Sequence, residues 1–315
     1  MPESFFILSK DYSELAVDEI ISIAKTYDRF SKIKIISNLV IVQSKINWEK
    51  ISKRATFVKI SGQILRKMSG LFLDEENFEV LKNAHTFVCR IINLSSNQFN
   101  IPELESSMGD MISKFSQAKV SLENPDITIY LIFTNKENFF GFSRKTKPFV
   151  RPKKVRKFPH ELDWKLSRAM INLIGLREGQ TVCDPFCGTG TTLLEAESMG
   201  IHAIGLDFDE KMYQISKENL DANGYKSKLM KDDFSGLNKI IEEIDGIVTD
   251  LPYGRASKAS ENPEELLKKF VSMLPRKKKV AVMCKKEFKE KLNMNPTKKY
   301  EIYRHKGLTR TILIK

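Results

Sequence analysis

Val182–Leu206 reads V-C-D-P-F-C-G-T-G-T-T-L-L-E-A-E-S-M-G-I-H-A-I-G-L, and the rest of the chain is read outward from it. A short apolar run ends in Asp184, a tight turn carries Gly188 and Gly190, and a helix opens near Thr191. A second apolar run, His202–Leu206, then ends at Asp207. Strand, glycine turn, helix, strand and acid make the first half of a nucleotide-binding α/β sheet. The glycines let backbone pass close to a ligand, and the helix start offers free N–H groups to a carboxylate or phosphate. Asp207 is spaced to accept hydrogen bonds from a ribose diol. A dinucleotide fingerprint would place a third glycine at position 193, where this chain has Leu193. A single nucleoside with an amino-acid tail therefore fits better than NAD.

At 315 residues the chain has room for two domains and a sizeable core, and 41% hydrophobic with 29% charged residues is an ordinary globular composition. No apolar run approaches membrane-spanning length and the N-terminus lacks a signal-peptide layout, so no membrane partner and a cytoplasmic location are expected. Cys89, Cys183, Cys187 and Cys284 make no disulfide framework and no metal-ligand pattern. Of a net charge of +12, Ser143–His160 supplies eight cations and no acid: Arg144, Lys145, Lys147, Arg151, Lys153, Lys154, Arg156 and Lys157. With Phe149 and Phe158 interleaved, this basic connector suits a phosphate-backbone partner.

Before the connector, periodicity predicts strands at 4–8, 32–36, 39–43 and 56–60 and helices at 12–24 and 48–53, a compact α+β unit. A helix over Ile101–Phe115 follows. Val120 and Leu122 alternate before an Asn124-Pro125-Asp126 turn, Ile127–Phe133 alternates after it, and Asn138–Phe142 is a last strand. After the connector come a helix at Trp164–Ile174, the sheet from Thr181, a helix at Glu210–Asn223 and a third strand, Lys228–Met230, ending at Asp232-Asp233. Val280–Cys284 and the hairpin Tyr300–Arg304 with Arg310–Ile314 close the chain.

The second chemical motif is Gly246–Arg255, G-I-V-T-D-L-P-Y-G-R. Its strand ends in Asp250, which should face the same crevice as Asp184, Asp207 and Asp233, because ligands sit outside the carboxyl ends of such strands.

D-P-F-C-G-T-G resembles the first motif of S-adenosylmethionine-dependent methyltransferases. That resemblance implies a Rossmann-like class I methyltransferase fold with S-adenosyl-L-methionine as cofactor. Asp184, Pro185, Phe186, Cys187, Gly188, Thr189 and Gly190 would lie around the methionine part and Asp207 with Phe208 at the ribose. Asp233, with Asp232 as runner-up and Phe234 beside them, would lie at the adenine. D-L-P-Y resembles the D-P-P-Y signature of amino-group methyltransferases, which implies that Asp250 and the Leu251 carbonyl accept the N–H bonds of an exocyclic amine. Pro252 would stiffen the turn and Tyr253 stack on a flipped base. Leu251 stands where that pattern has proline, and a slightly looser turn is expected. V-x-L-x-N-P-D-I-x-I resembles the THUMP domain, an RNA-binding module of tRNA-modifying enzymes, preceded in that family by a ferredoxin-like α+β unit.

Together with Arg255 in D-L-P-Y-G-R-A-S, these parts resemble the archaeal tRNA guanine-N2 methyltransferases acting on the guanosine at position ten. The implied layout is a ferredoxin-like subdomain (1–60), a THUMP domain (61–145), the basic connector (146–160) and the methyltransferase domain (161–315). The implied partner is tRNA, met by the eight connector cations and Arg255. Some relatives work with a small zinc-binding subunit. The rivals are N2-guanine methylation at another RNA site, adenine-N6 methylation and a non-catalytic tRNA-binding protein.

Overall fold

A computed structural model describes residues 1–68, 80–147, 149–159, 161–252, 263–288, 294–305 and 308–315. Contacts gather the chain into two units. The first holds Met1–Lys10, Asp28–Lys53 and Val58–Phe149; the second holds Asp11–Tyr27, Arg54–Phe57 and Val150–Lys315.

In the first unit, β1 (Glu3–Leu8), β2 (Lys32–Ile36), β3 (Leu39–Gln43) and β4 (Val58–Met68) join β5 (Thr86–Asn93), β6 (Lys119–Val120), β7 (Ile127–Phe133) and β8 (Asn138–Arg144). Among the described residues they form one eight-stranded sheet in the order β2-β3-β1-β4-β8-β7-β5-β6. β4 pairs antiparallel with both β1 and β8, so residues on either side of position 60 share one sheet. The period of two sorts β7: Ile127, Ile129, Leu131 and Phe133 pack with Met108 and Ile112, while Tyr130 and Ile132 pack with Phe5, Ile7 and Ile41. Met108 and Ile112 come from α3 (Ile101–Phe115), which follows α2 (Trp48–Arg54) in the chain and lies where its spacing predicts.

The two alternating runs around Asn124-Pro125-Asp126 do not pair with each other. The unforeseen strand β5 lies between them, parallel to both. The turn has its own task there. The Asp126 carboxylate accepts the N–H groups of His85 and Thr86, both at 3.0 Å, and so pins the start of β5.

The second unit is built on β9 (Thr181–Asp184), β10 (His202–Leu206), β11 (Lys228–Met230), β12 (Gly246–Asp250), β13 (Lys279–Lys285), β14 (Lys298–His305) and β15 (Leu308–Ile314). Their order is β11-β10-β9-β12-β13-β15-β14 among the described residues. The first five are parallel; β15 runs antiparallel to β13 and β14, giving the expected closing hairpin. The parallel strands read as continuous apolar runs because helices cover both faces.

One face is covered by α4 (Trp164–Leu173), which packs against β12 and β13, and by α5 (Thr191–Ser198) against β10. α1 (Ser13–Tyr27), from the N-terminal part of the chain, packs on α4 within this unit, and α6 (Glu210–Asp221) packs on α5. On the other face α7 (Leu237–Ile240) and α8 (Pro263–Met273) bring Leu237, Ile240, Leu267 and Phe270 onto Ile247, Val280 and Val282. No helix among the described residues is long and apolar enough to cross a membrane.

Candidate functional site

Asp184 and Asp250 end β9 and β12 and Asp207 directly follows β10, so they gather at the carboxyl edge of the parallel sheet. Asp184 is 3% exposed. Its Oδ1 accepts the Thr249 hydroxyl at 2.6 Å and the Phe186 N–H at 3.1 Å. That bond ties the end of β9 to the residue before Asp250 and sets the two sequence motifs side by side. Burial pushes the Asp184 carboxyl up to about 6, against the pull of the Thr249, Thr192 and Phe186 hydrogen bonds.

The sign of the consequence follows from linkage. A folded pKa raised above the ordinary 3.8 gives a contribution that is present below pH 4 and lost as pH rises through about 6. Asp184→Asn keeps the acceptor for Thr249 and removes the buried charge. The variant is expected to be more stable than the parent by about 2–3 kcal/mol at pH 8, with the gap closing toward pH 4. Melting temperatures measured across that range check it; a gap independent of pH would refute it.

The turn itself is held from below. Gly188 and Gly190 adopt φ of +51° and +80°, the left-handed region expected of glycine here. A Cβ on Gly190 would lie 2.5 Å from the Ser216 hydroxyl, so the position also lacks space. Gly190 begins α5 with no side-chain cap, leaving the helix N–H groups toward the crevice. Asp207 accepts the Gly188 N–H at 2.9 Å through Oδ2 and the Asp209 N–H at 2.9 Å through Oδ1. Each oxygen retains a lone pair, so a diol can still be met. Burial raises the Asp207 carboxyl, opposed by those two bonds.

Pro185 and Cys187 are buried, Thr189 is 5% exposed, and Phe208 is on the surface. Phe186 sits 5.5 Å from Phe234 and 5.3 Å from Phe270, and Phe234 is enclosed in that aromatic cluster. Asp233 caps the short turn that follows it, accepting the Ser235 N–H at 2.8 Å. Asp232 pairs with Lys239 at 2.7 Å.

The basic connector is not a free solvated run. Asn219 of α6 and Asn223, two residues past the helix end, each grip its backbone twice. Asn219 takes the N–H and carbonyl of Arg156 at 2.8 and 2.9 Å, and Asn223 those of Lys153, both at 2.7 Å. This clamp turns one of the eight cations inward. The Lys154 ammonium donates to Glu161 at 2.7 Å, Thr189 at 2.8 Å and Thr191 at 2.6 Å, under the glycine turn. Its side chain is 4% exposed, so it does not stand on the surface with its neighbours as the charge count suggested. Arg144, Lys145, Lys147, Arg151, Lys153, Arg156 and Lys157 are exposed. Arg151 lies over the Trp164 ring and near Glu195, and Arg156 faces Glu218.

At the second motif, the Asp250 side chain is 19% exposed and forms an ion pair with Arg310 of β15. Leu251 does more than fill a proline position. Its N–H donates to the Met283 carbonyl at 2.8 Å, and its side chain is 1% exposed in the core. Proline has no N–H to donate, so the expected loosening is offset by one further rung of the β12–β13 ladder. Pro252 is half-buried; Tyr253 and Arg255 lie outside the described residues.

Sequence reasoning passed over Glu161, Thr249, Asn219, Asn223 and Arg310, and assigned Lys154 to the RNA-facing cations. Arg310 had a legible signal, a lone cation in the apolar closing strand L-T-R-T-I-L-I. The others act through pairings between distant segments.

The sheet order, the glycine turn after β9 and the acid after β12 are those of a methyltransferase domain. Comparison with known proteins narrows this: the chain belongs to the RMKL-like methyltransferase domain family, whose model matches residues 151–311. A second family model, described as DNA methylase, matches residues 3–218. The chain is 29% identical over 289 residues to the tRNA (guanine(10)-N2)-dimethyltransferase of Methanothermobacter thermautotrophicus, covering 85% of this chain and 83% of that one. It is 28% identical over 263 residues to the protein of the same name from Methanocaldococcus jannaschii, covering 76% and 73%. The crystal structure of TrmN from Thermus thermophilus shares the fold, with a TM-score of 0.57, 19% identity and coverage of 100% and 99% of the two chains.

Proposed function

We propose that the protein uses S-adenosylmethionine to methylate the N2 amine of guanosine 10 in tRNA, once or twice. The observation that carries this is the 2.6 Å bond from Thr249 to Asp184, which sets Asp250 beside the glycine turn. The names of the relatives supply the base and the position. The residues suit the cofactor: a left-handed Gly190 with no room for a Cβ, an uncapped helix start, and Asp207 beside them. Bound there, the cofactor would supply an electrophilic sulfonium methyl and leave as a neutral thioether.

An exocyclic amine shares its lone pair with the ring and is a weak nucleophile. Asp250 and the Leu251 carbonyl accept its two N–H bonds, which turns the lone pair toward the methyl and stabilises charge growing on nitrogen. As the N–C bond forms, Asp250 or water takes one proton. The exposed connector cations hold the RNA backbone, and residues 61–145 supply a THUMP-type RNA-binding region. Methyl transfer by the chain alone would exclude a requirement for a small zinc-binding subunit.

Two variants separate the cofactor turn from the RNA surface. Lys154→Met is expected to weaken cofactor binding about ten- to a hundredfold, the loss of charge-assisted bonds worth about 1.5–3 kcal/mol, and to leave tRNA affinity within twofold. Lys153→Ala with Lys157→Ala is expected to do the reverse, with a shallower salt dependence. Calorimetry with the cofactor and filter binding with tRNA check both. The position is tested with transcripts carrying inosine, which lacks the 2-amino group, in place of guanosine 10. Loss of methyl incorporation is expected; undiminished incorporation would place the target elsewhere.

A further inference from the structure

We propose that Arg310 is a positioning residue for methyl transfer: its guanidinium holds the Asp250 carboxylate in one orientation at the end of β12. The inference rests on the assignment of Asp250 as amine acceptor. Arg310 stands on β15, opposite Lys285 of β13 and Ile302 of β14, in a row with Ile312 and Ile314. Its guanidinium reaches past β13 to the end of β12, where Nη2 donates to Asp250 Oδ1.

The two side chains differ in exposure. Arg310 is 4% exposed and Asp250 19%, so the cation lies behind the acid and the acid faces the opening. Stability alone gives little reason for this pair. Taking a guanidinium out of water costs several kcal/mol, and a pair of well-packed apolar residues in place of both partners is often as stable.

For the reaction the pair has two uses. An aspartate at a strand end rotates about two side-chain bonds, and a charge-assisted bond to a buried, fixed guanidinium removes that freedom. The crevice also gathers Asp184, Asp207 and Asp250, and Arg310 compensates the charge at the one that must approach an amine.

The test compares Arg310→Lys and Arg310→Gln with the parent in steady-state methyl transfer to an unmodified tRNA transcript, with cofactor affinity and melting temperature measured alongside. Both variants are expected to lose about ten- to hundredfold in kcat, the cost of a misplaced group, while KM for RNA and cofactor Kd stay within threefold. In the background of Asp250→Asn, Arg310→Lys is expected to cost little more, because the two act as one unit. A folded Arg310→Lys variant with kcat within threefold of the parent would overturn the inference, as would a loss that adds in full to that of Asp250→Asn. If Asp250→Asn itself keeps full kcat, the assignment of Asp250 falls instead, and the two failures are told apart.

Discussion

Replacing Asp250 with alanine is expected to lower kcat for methyl transfer by about a hundred- to a thousandfold, the usual cost of removing one preorganised partner of a developing charge. Asp250 ends β12 at the edge of the crevice and touches neither the Gly188–Gly190 turn nor Asp207 in any described hydrogen bond. Cofactor affinity is therefore expected to stay within threefold. KM for RNA should also change little, because orientation of the amine is gained in the transition state rather than in binding. Alanine also leaves the Arg310 guanidinium buried beside an empty space, so Asp250→Asn is the matched control. Its amide keeps the shape and one acceptor oxygen but not the charge. Calorimetry and single-turnover rates on both variants check this. A kcat within threefold of the parent in Asp250→Ala would contradict the role given to the acid.

Replacing Arg168 with methionine is expected to cost about 3–5 kcal/mol of stability, the penalty for stranding a buried charge. Arg168 and Glu195 are 4% and 1% exposed in their side chains and lie 3.1 Å apart between α4 and α5. Arg168 also donates to the Arg54 carbonyl at 2.9 Å and the Ser198 hydroxyl at 2.9 Å. Burial lowers its pKa, opposed by Glu195, and burial raises that of Glu195, opposed by Arg168. Each partner's buried charge is thus offset chiefly by the other. After the substitution the ion pair left to Glu195 among the described residues is Arg151 at 3.7 Å, a partner 41% exposed. Asn172 extends the same polar layer, donating to Glu19 of α1 at 2.8 Å and to the Arg54 carbonyl at 3.0 Å. With a stability of about 5–15 kcal/mol typical of a whole domain, the loss should appear as a fall of about 10 °C in melting temperature. Adding Glu195→Leu removes the stranded charge and is expected to restore part of it. A single variant melting within 2 °C of the parent would show that the pair carries little.

The parallel sheet was legible because its signals are local. A strand ending in Asp184, glycines at 188 and 190 and a strand ending at Asp207 all fall within a stretch whose order fixes the fold. The bounds of β2, β3, β7, β10 and β11 match those predicted from alternation and apolar runs. β5 was missed although T-F-V-C-R-I-I-N is rich in β-branched residues, and its omission left β6 and β7 looking like neighbours across a turn. Which strand lies between two others depends on long-range pairing that alternation does not encode. The site shows the same division. Asp184, Asp207 and Asp250 announce themselves at strand ends. Lys154 looked like one more surface cation, and only the grip of Asn219 and Asn223 on the backbone around it shows why its ammonium turns inward. The placement of α1 on α4 is also a matter of tertiary contact, since its apolar face alone does not name its partner.

The most direct measurement incubates the protein with unmodified tRNA transcripts and methyl-labelled S-adenosylmethionine and identifies the labelled nucleoside. Label in N2-methylguanosine or N2,N2-dimethylguanosine, absent with Asp250→Ala, is the predicted result. Label in N6-methyladenosine, or no label with cofactor demonstrably unbound, would contradict it.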